Sequence, residues 1–215
     1  MDPTPHTARA TNDEHLDAEL AAHHIPAAEF RGVDYRAPLD VEARVAAVPA
    51  AATAKGMFFE PLARAVRPHG VACEPRYVAF RDYPLRDFMR LLASCASVHH
   101  RALPTREAMR QLGREAFSTL MGSVAGRVIF TFALGDARSA LRLAPEGYKL
   151  SLSHCTARTR LNAPEQVVLE LRDVWNFPEC YQVGVIEGGC MAFGPPPRIR
   201  TRVLSACDVD LLIRW

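Results

Sequence analysis

The sequence has no apolar run near the roughly 18 residues that a membrane-spanning helix needs. Its greasiest stretch, Val128-Ile129-Phe130-Thr131-Phe132-Ala133-Leu134, is far too short. A secretory leader is missing too. The first thirty residues carry Asp2, Asp13, Glu14, Asp17, Glu19 and Glu29 in place of a basic start and an apolar core. These absences predict a cytoplasmic protein. None of the six cysteines (Cys73, Cys95, Cys155, Cys180, Cys190 and Cys207) forms a Cys-x-x-Cys pair, the close spacing that structural zinc sites show. In a reducing compartment they are expected to be small core residues. Also missing are a Gly-x-Gly-x-x-Gly turn, a phosphate loop, a His-Glu-x-x-His pair and a Gly-x-Ser-x-Gly elbow. The sequence therefore gives no catalytic residue, no metal ligand and no cofactor.

What is present is an ordinary globular composition: 215 residues, 49% hydrophobic and 23% charged, with a net charge of +2. That charge is too mild to imply nucleic acid. Its distribution is uneven, because residues 1–50 hold nine acids and four arginines. We expect residues 1–39 to form an acidic N-terminal arm with a short helix, and residues 40–215 to form a single α+β domain. Thr11 or Asn12 is placed to cap the arm's helix, with Leu16 and Leu20 as its stripe and Pro26 ending it; residues 1–10 should fray.

In the domain, Asp40 suits a cap for a helix over 41–48, and a longer helix is expected over 51–66, where Met57, Phe58, Leu62 and Val66 recur at helical spacing. Pro84 precedes a helix to about Val98 with Phe88, Leu91, Leu92 and Cys95 on one stripe. Pro104-Thr105 opens the strongest helix, through Met109, Leu112, Ala116, Leu120 and Val124, weakened by Gly122 and Gly126. After Pro145 the period changes. Tyr148, Leu150 and Leu152 alternate with polar residues and predict a strand, as do Val167 to Leu171, Ile199 to Val203 and Val209 to Trp215. Pro178 opens a helix to Phe193 between strands. Helices followed by hairpin-linked strands give the α+β class: N-terminal helices packed on a C-terminal four-stranded antiparallel sheet with one inserted helix. Each strand shows one apolar face, so one covered side of the sheet is expected.

Four constellations invite chemistry. His99-His100 at a helix end suits a cation satisfying the helix C-terminus, and His23-His24 is similar. Ser153-His154-Cys155 places a nucleophile beside a base, but on a regular strand neighbouring side chains point apart. Arg158, Arg160, Arg198, Arg200 and Arg202 would form a basic, anion-holding stripe if the sheet aligned them. Asp208 and Asp210 are positioned as their cross-strand partners, and no aromatic residues interleave for base stacking. Trp175, Phe177 and Tyr181 cluster where a strand meets a helix. A pocket between helices and sheet would draw on Phe88, Phe117, Met121, Trp175 and Tyr181 for shape and apolar contact, with the Tyr181 hydroxyl as a polar handle.

Several segments resemble a myxobacterial paralogous family of unknown function with members near 200 residues. They are Lys55-Gly56-Met57-Phe58-Phe59, Arg110-Gln111-Leu112-Gly113-Arg114, Gly126-Arg127, the stretch from Phe177-Pro178-Glu179-Cys180-Tyr181 to Glu187-Gly188, and the closing strand with Trp215. The likeness spans about residues 40–215. That family's helix-then-sheet order is in turn similar to the heme–nitric-oxide-binding and 4-vinyl-reductase-like sensor superfamily, a fold shared with vesicle-tethering subunits. The resemblance implies a cavity between helices and sheet for a small ligand, heme or an acyl chain. The Tyr-x-Ser-x-Arg signature of the heme-binding members has no match here. The zinc-binding cysteine set is also absent, with Cys207 a lone candidate. The expected function is a non-enzymatic sensory or regulatory module that binds a small apolar or amphipathic ligand or a protein partner. The alternatives are a ligand-free homodimeric interaction protein, an enzyme with an unrecognised site, and a heme sensor in which His99 or His100 faces the cavity.

Overall fold

A computed structural model describes residues 5–122, 127 and 136–215. The greasy run Val128–Leu134 and the expected helix-end residues Val124 and Gly126 lie outside the described residues. Helix α1 (Pro5–Ala22) is followed by α2 (Val41–Ala47), strand β1 (Thr53–Lys55), α3 (Gly56–Val66), strand β2 (Asp82–Pro84), α4 (Leu85–His99) and α5 (Thr105–Gly122). Then come α6 (Ala137–Ser151), β3 (Thr156–Asn162), β4 (Gln166–Arg172), α7 (Tyr181–Phe193), β5 (Arg198–Val203) and β6 (Val209–Arg214). The four long strands form one antiparallel sheet in the order β3-β4-β6-β5, with α7 inserted between β4 and β5. The α+β architecture is the expected one. No helix among the described residues is long and apolar enough to cross a membrane.

Local chemistry accounts for most boundaries. Asp40 caps α2 by accepting from the Ala43 N–H at 2.9 Å, and Asp136 caps α6 by accepting from Ser139 at 2.9 Å. Helix α1 begins earlier than expected, so Thr11 and Asn12 lie inside it rather than at its start. The helix expected from Ala51 starts only at Gly56, because residues 53–55 pair antiparallel with 82–84 as a short two-stranded sheet.

The largest departure concerns residues 148–153. They are not a strand; α6 runs through Pro145 to Ser151. Ala137, Leu141, Ala144 and Tyr148 make a buried helical stripe that crosses the proline, and this long-range period outweighs the local alternation of Tyr148, Leu150 and Leu152. The fourth strand is instead β3, in which Ala157, Thr159 and Leu161 alternate with exposed Arg158 and Arg160.

The sheet is covered on both faces, not on one. Val167, Leu169, Leu171, Val209, Leu211 and Ile213 pack against α6 and α7. On the opposite face Leu20, Ile25 and Phe30 from the N-terminal segment pack with Leu161, Ala163, Val168 and Leu212. Polar contacts tie that segment down. Gln166 Nε2 donates to the Leu16 carbonyl at 2.8 Å, and Asp17 and Glu29 pair with Arg214 and Arg202. The second core lies among α2 to α5, where Phe59, Phe88, Met89, Leu92 and Met109 are fully enclosed.

Candidate functional site

Helix α7 is the element that creates the site. It lies between α5 and the sheet and is buried nearly all round. Its approach to α5 is set by missing side chains. A Cβ at Gly184 would strike the Arg110 carbonyl, and one at Gly113 would strike the Tyr181 carbonyl. Charge fixes the register. Glu187 accepts from Arg110 Nε and Nη2 at 2.8 and 2.6 Å, and from Arg114 Nε at 2.8 Å. The carboxylate drives the Arg110 guanidinium further toward its charged form. Arg110 also stands over the Tyr35 ring, 4.5 Å from its centroid.

Between α5, α6 and α7, with Phe58 of α3 and Phe88 of α4, lies an inner cavity of about 80 Å3 that is partly open. Phe88, Phe117 and Tyr181 are on its wall, three of the five residues expected to line a pocket. Phe88 and Tyr181 meet edge to face with centroids 6.0 Å apart. The other two stand elsewhere. Trp175 is half-buried against the helical core, and Met121 is half-buried beside the cluster of Met57, Phe117, Leu120 and Ala140. Small residues shape the rest of the wall: Ala116, Ala140, Ala144, Gly147 and Gly189 leave the space open.

Apart from the Tyr181 hydroxyl, the polar wall groups were not foreseen. Tyr148 donates to Gln182 Oε1 at 2.8 Å, and burial holds the Tyr148 phenol strongly neutral. Ser151 donates to the Gly147 carbonyl of its own helix at 2.6 Å. Asn176 is 2% exposed, and its Oδ1 has no hydrogen-bond partner among the described residues. Asn176 sits in the turn from β4 to α7, where Asp173 and Phe177 both hold left-handed backbone, φ 55° and 54°. Such conformations cost on the order of 1–3 kcal/mol each at residues other than glycine and gather where the surroundings over-determine them. The sequence signal was the polar residue within Trp175-Asn176-Phe177; Tyr148 was hidden by its assignment to a strand.

A second, outer groove of about 220 Å3 lies between α3, α4 and α5, with Cys95, His99, His100, Glu115 and Thr119 among its lining. His99 and His100 belong to this groove and are not on the inner wall. His99 Nε2 lies 3.3 Å from the Ala65 carbonyl, so it serves the end of α3 rather than its own helix. Phe58, Ala116 and Tyr181 line both spaces and form a shared wall.

The remaining constellations are not arranged as expected. Ser153-His154-Cys155 is a turn, not a strand, with His154 at φ 56°. Ser153 Oγ accepts from the Thr53 N–H at 2.7 Å, and burial pushes the Cys155 thiol up to about 11, so it is no thiolate nucleophile. The arginines do not form one stripe. Arg158 and Arg160 lie on the β3 edge, and Arg198, Arg200 and Arg202 on the β5 edge, three strand spacings or roughly 14 Å away. Arg160 pairs with Glu170 at 3.2 Å, and Arg202 with the register-matched Asp210, Nε to Oδ2 at 2.9 Å. Asp208 is not a partner of Arg200. It accepts from the Asp173 N–H at 2.9 Å and from Ser205 Oγ at 2.7 Å. Asp173, Cys207 and Asp208 lie close enough to hold a metal together, and each Asp208 oxygen already accepts one hydrogen bond.

A family described as "Protein of unknown function (DUF2378)" matches residues 47–215. No curated protein matches the chain. Among solved structures, the chain is similar to the Fe(II) unliganded H-NOX protein from K. algicida. The TM-score is 0.56 at 14% identity, covering 74% of this chain and 95% of that one. It is also similar to an H-NOX domain from Shewanella oneidensis in the Fe(II)CO state, with a TM-score of 0.56 at 17% identity, covering 74% and 97%. At these identities the likeness is one of fold. Because those relatives carry iron, the fit of a heme was tested against the wall itself. Among the described residues, no His, Cys or Met lines the inner cavity to ligate iron, and no Lys or Arg lines it to meet a propionate. Burial holds the phenols of Tyr148 and Tyr181 neutral. The space is also far below the roughly 300 Å3 at which drug-sized sites begin. A heme does not fit these residues.

Proposed function

We propose that this chain, which belongs to the DUF2378 family, is a non-enzymatic sensory or regulatory module that takes a small apolar or amphipathic ligand into the cavity between α5, α6 and α7. The observation that carries this reading is the cavity's construction. It has an aromatic and aliphatic wall, a few polar groups and small residues that keep it open, inside an α+β fold that solved H-NOX structures share. Among the described residues we assign no catalytic group: the candidate dyad is a turn, and its thiol stays protonated. The free cysteines suit a cytoplasmic setting. Occupancy of the cavity would act on α7, whose register is held against α5 by Glu187 and against the sheet by Val183 and Ile186. Arg110, stacked over Tyr35, gives that register a route toward the molecule's surface.

The experiment is native mass spectrometry of freshly purified protein, set against its denatured mass. Excess mass that is lost on denaturation is expected, and its value gives the ligand's class. A bare native mass, with no small apolar compound raising the melting temperature, would sink the reading.

A further inference from the structure

We propose that the inner cavity takes an uncharged ligand bearing one hydrogen-bond donor, a hydroxyl or an N–H, and that Asn176 is the residue that reads it. This rests on the reading of the cavity as a ligand site and names the ligand's chemistry.

The wall excludes charge. Among the described residues, no Asp, Glu, Lys, Arg or His contributes to it. An ionised carboxylate, phosphate or ammonium would therefore lose its water and meet no counter-charge. The remaining ligands are neutral, and the wall's polar groups sort them further. Ser151 is bonded to its own helix, Tyr148 and Gln182 are bonded to each other, and the Tyr181 hydroxyl, which can both donate and accept, makes no single demand on a ligand. Asn176 differs, with an Oδ1 that is buried and has no partner among the described residues. A buried acceptor without a donor is costly and uncommon. A ligand that brings the donor removes the penalty and gains orientation with it. Asn176 is 2% exposed, so the protein packed around it leaves the amide little room to turn away before the ligand arrives.

Size narrows the class again. A dry cavity of about 150 Å3 accepts benzene, and this one is about 80 Å3. A ligand the size of one aromatic ring would need the shared wall of Phe58 and Tyr181 to move toward the outer groove, which has the space to receive it. Phenol and toluene therefore make a matched pair of probes. They have the same ring and nearly the same volume, and only phenol has a donor.

The test is calorimetric titration of the full chain with phenol and with toluene, on the wild type and on Asn176→Leu. Phenol is expected to bind the wild type about three- to tenfold tighter, the worth of one hydrogen bond, although toluene is the more apolar molecule. Asn176→Leu is expected to reverse the order. If toluene equals or exceeds phenol on the wild type, the donor requirement is overturned while the cavity remains a ligand site. If phenol leads equally in both proteins, Asn176 is not the reader. If neither compound binds, the cavity reading fails and this inference fails with it. The wild-type comparison alone decides the donor requirement should the variant not fold.

Discussion

Tyr148 and Gln182 join α6 to α7 through one buried hydrogen bond, the phenol donating to Oε1 at 2.8 Å. Tyr148→Phe deletes the donor and leaves the amide oxygen enclosed without a partner. A loss of about 1–2 kcal/mol is expected in the urea-derived unfolding free energy. No change would mean that the amide finds another donor and that the bond does not hold the two helices.

Glu187 neutralises two arginines of α5 at once. Glu187→Gln keeps the shape and removes the charge, leaving Arg110 and Arg114 partly buried against a neutral amide. Because both guanidiniums keep some contact with solvent, the expected cost is about 1–3 kcal/mol rather than the full penalty of a broken buried pair. Chemical denaturation measures it, and an unchanged midpoint would remove Glu187 from the account of helix register.

Gly184→Ala puts a methyl group into the Arg110 carbonyl. The helices must separate, and a loss of about 3 kcal/mol or more is expected, enough to lower the melting temperature by several degrees. Gly32→Ala is the contrast, because nothing lies within 4 Å of its added Cβ. Equal melting temperatures for the two variants would refute the close approach of α5 and α7.

Burial pushes the thiols of Cys95, Cys180 and Cys190 up to about 12. The folded values lie above that of a free thiol, near 8.5. The stability these thiols contribute is therefore complete below about pH 8.5 and is lost as pH rises toward 12, by up to ~1.4 kcal/mol per thiol per pH unit. At pH 8 an alkylating reagent followed by mass spectrometry is expected to leave all three unmodified in native protein and to modify them in urea. Rapid native labelling at any of the three would contradict its burial.

The class of fold was legible because Val167, Leu169 and Leu171, and Val209, Leu211 and Ile213, recur at strand period and the residues at Asp40 and Pro104-Thr105 mark the starts of their helices. Residues 148–153 misled because a three-residue alternation and a helical stripe interrupted by Pro145 share the same side chains, and only packing against β3 and α7 decides between them. Of the cavity wall, Phe88, Phe117 and Tyr181 could be picked out as aromatic residues near a junction. Asn176 and Gln182 could not, since an amide acquires meaning only once its partners, or their absence, are known. The arginine stripe failed for a topological reason: strand order separates β3 from β5, and spacing along the chain does not encode that order.

The N-terminal segment lies ahead of the family-matched residues 47–215, yet it lays Leu20, Ile25 and Phe30 on one face of the sheet and exchanges two backbone hydrogen bonds between Arg31 and Thr201 at the β5 edge. A chain cut back to the matched residues would show water a bare apolar sheet face with an open margin, the kind of surface that adheres to its own copies. In this protein residues 16–31 work as a built-in seal, so the cavity on one side of the sheet is insulated from stickiness on the other.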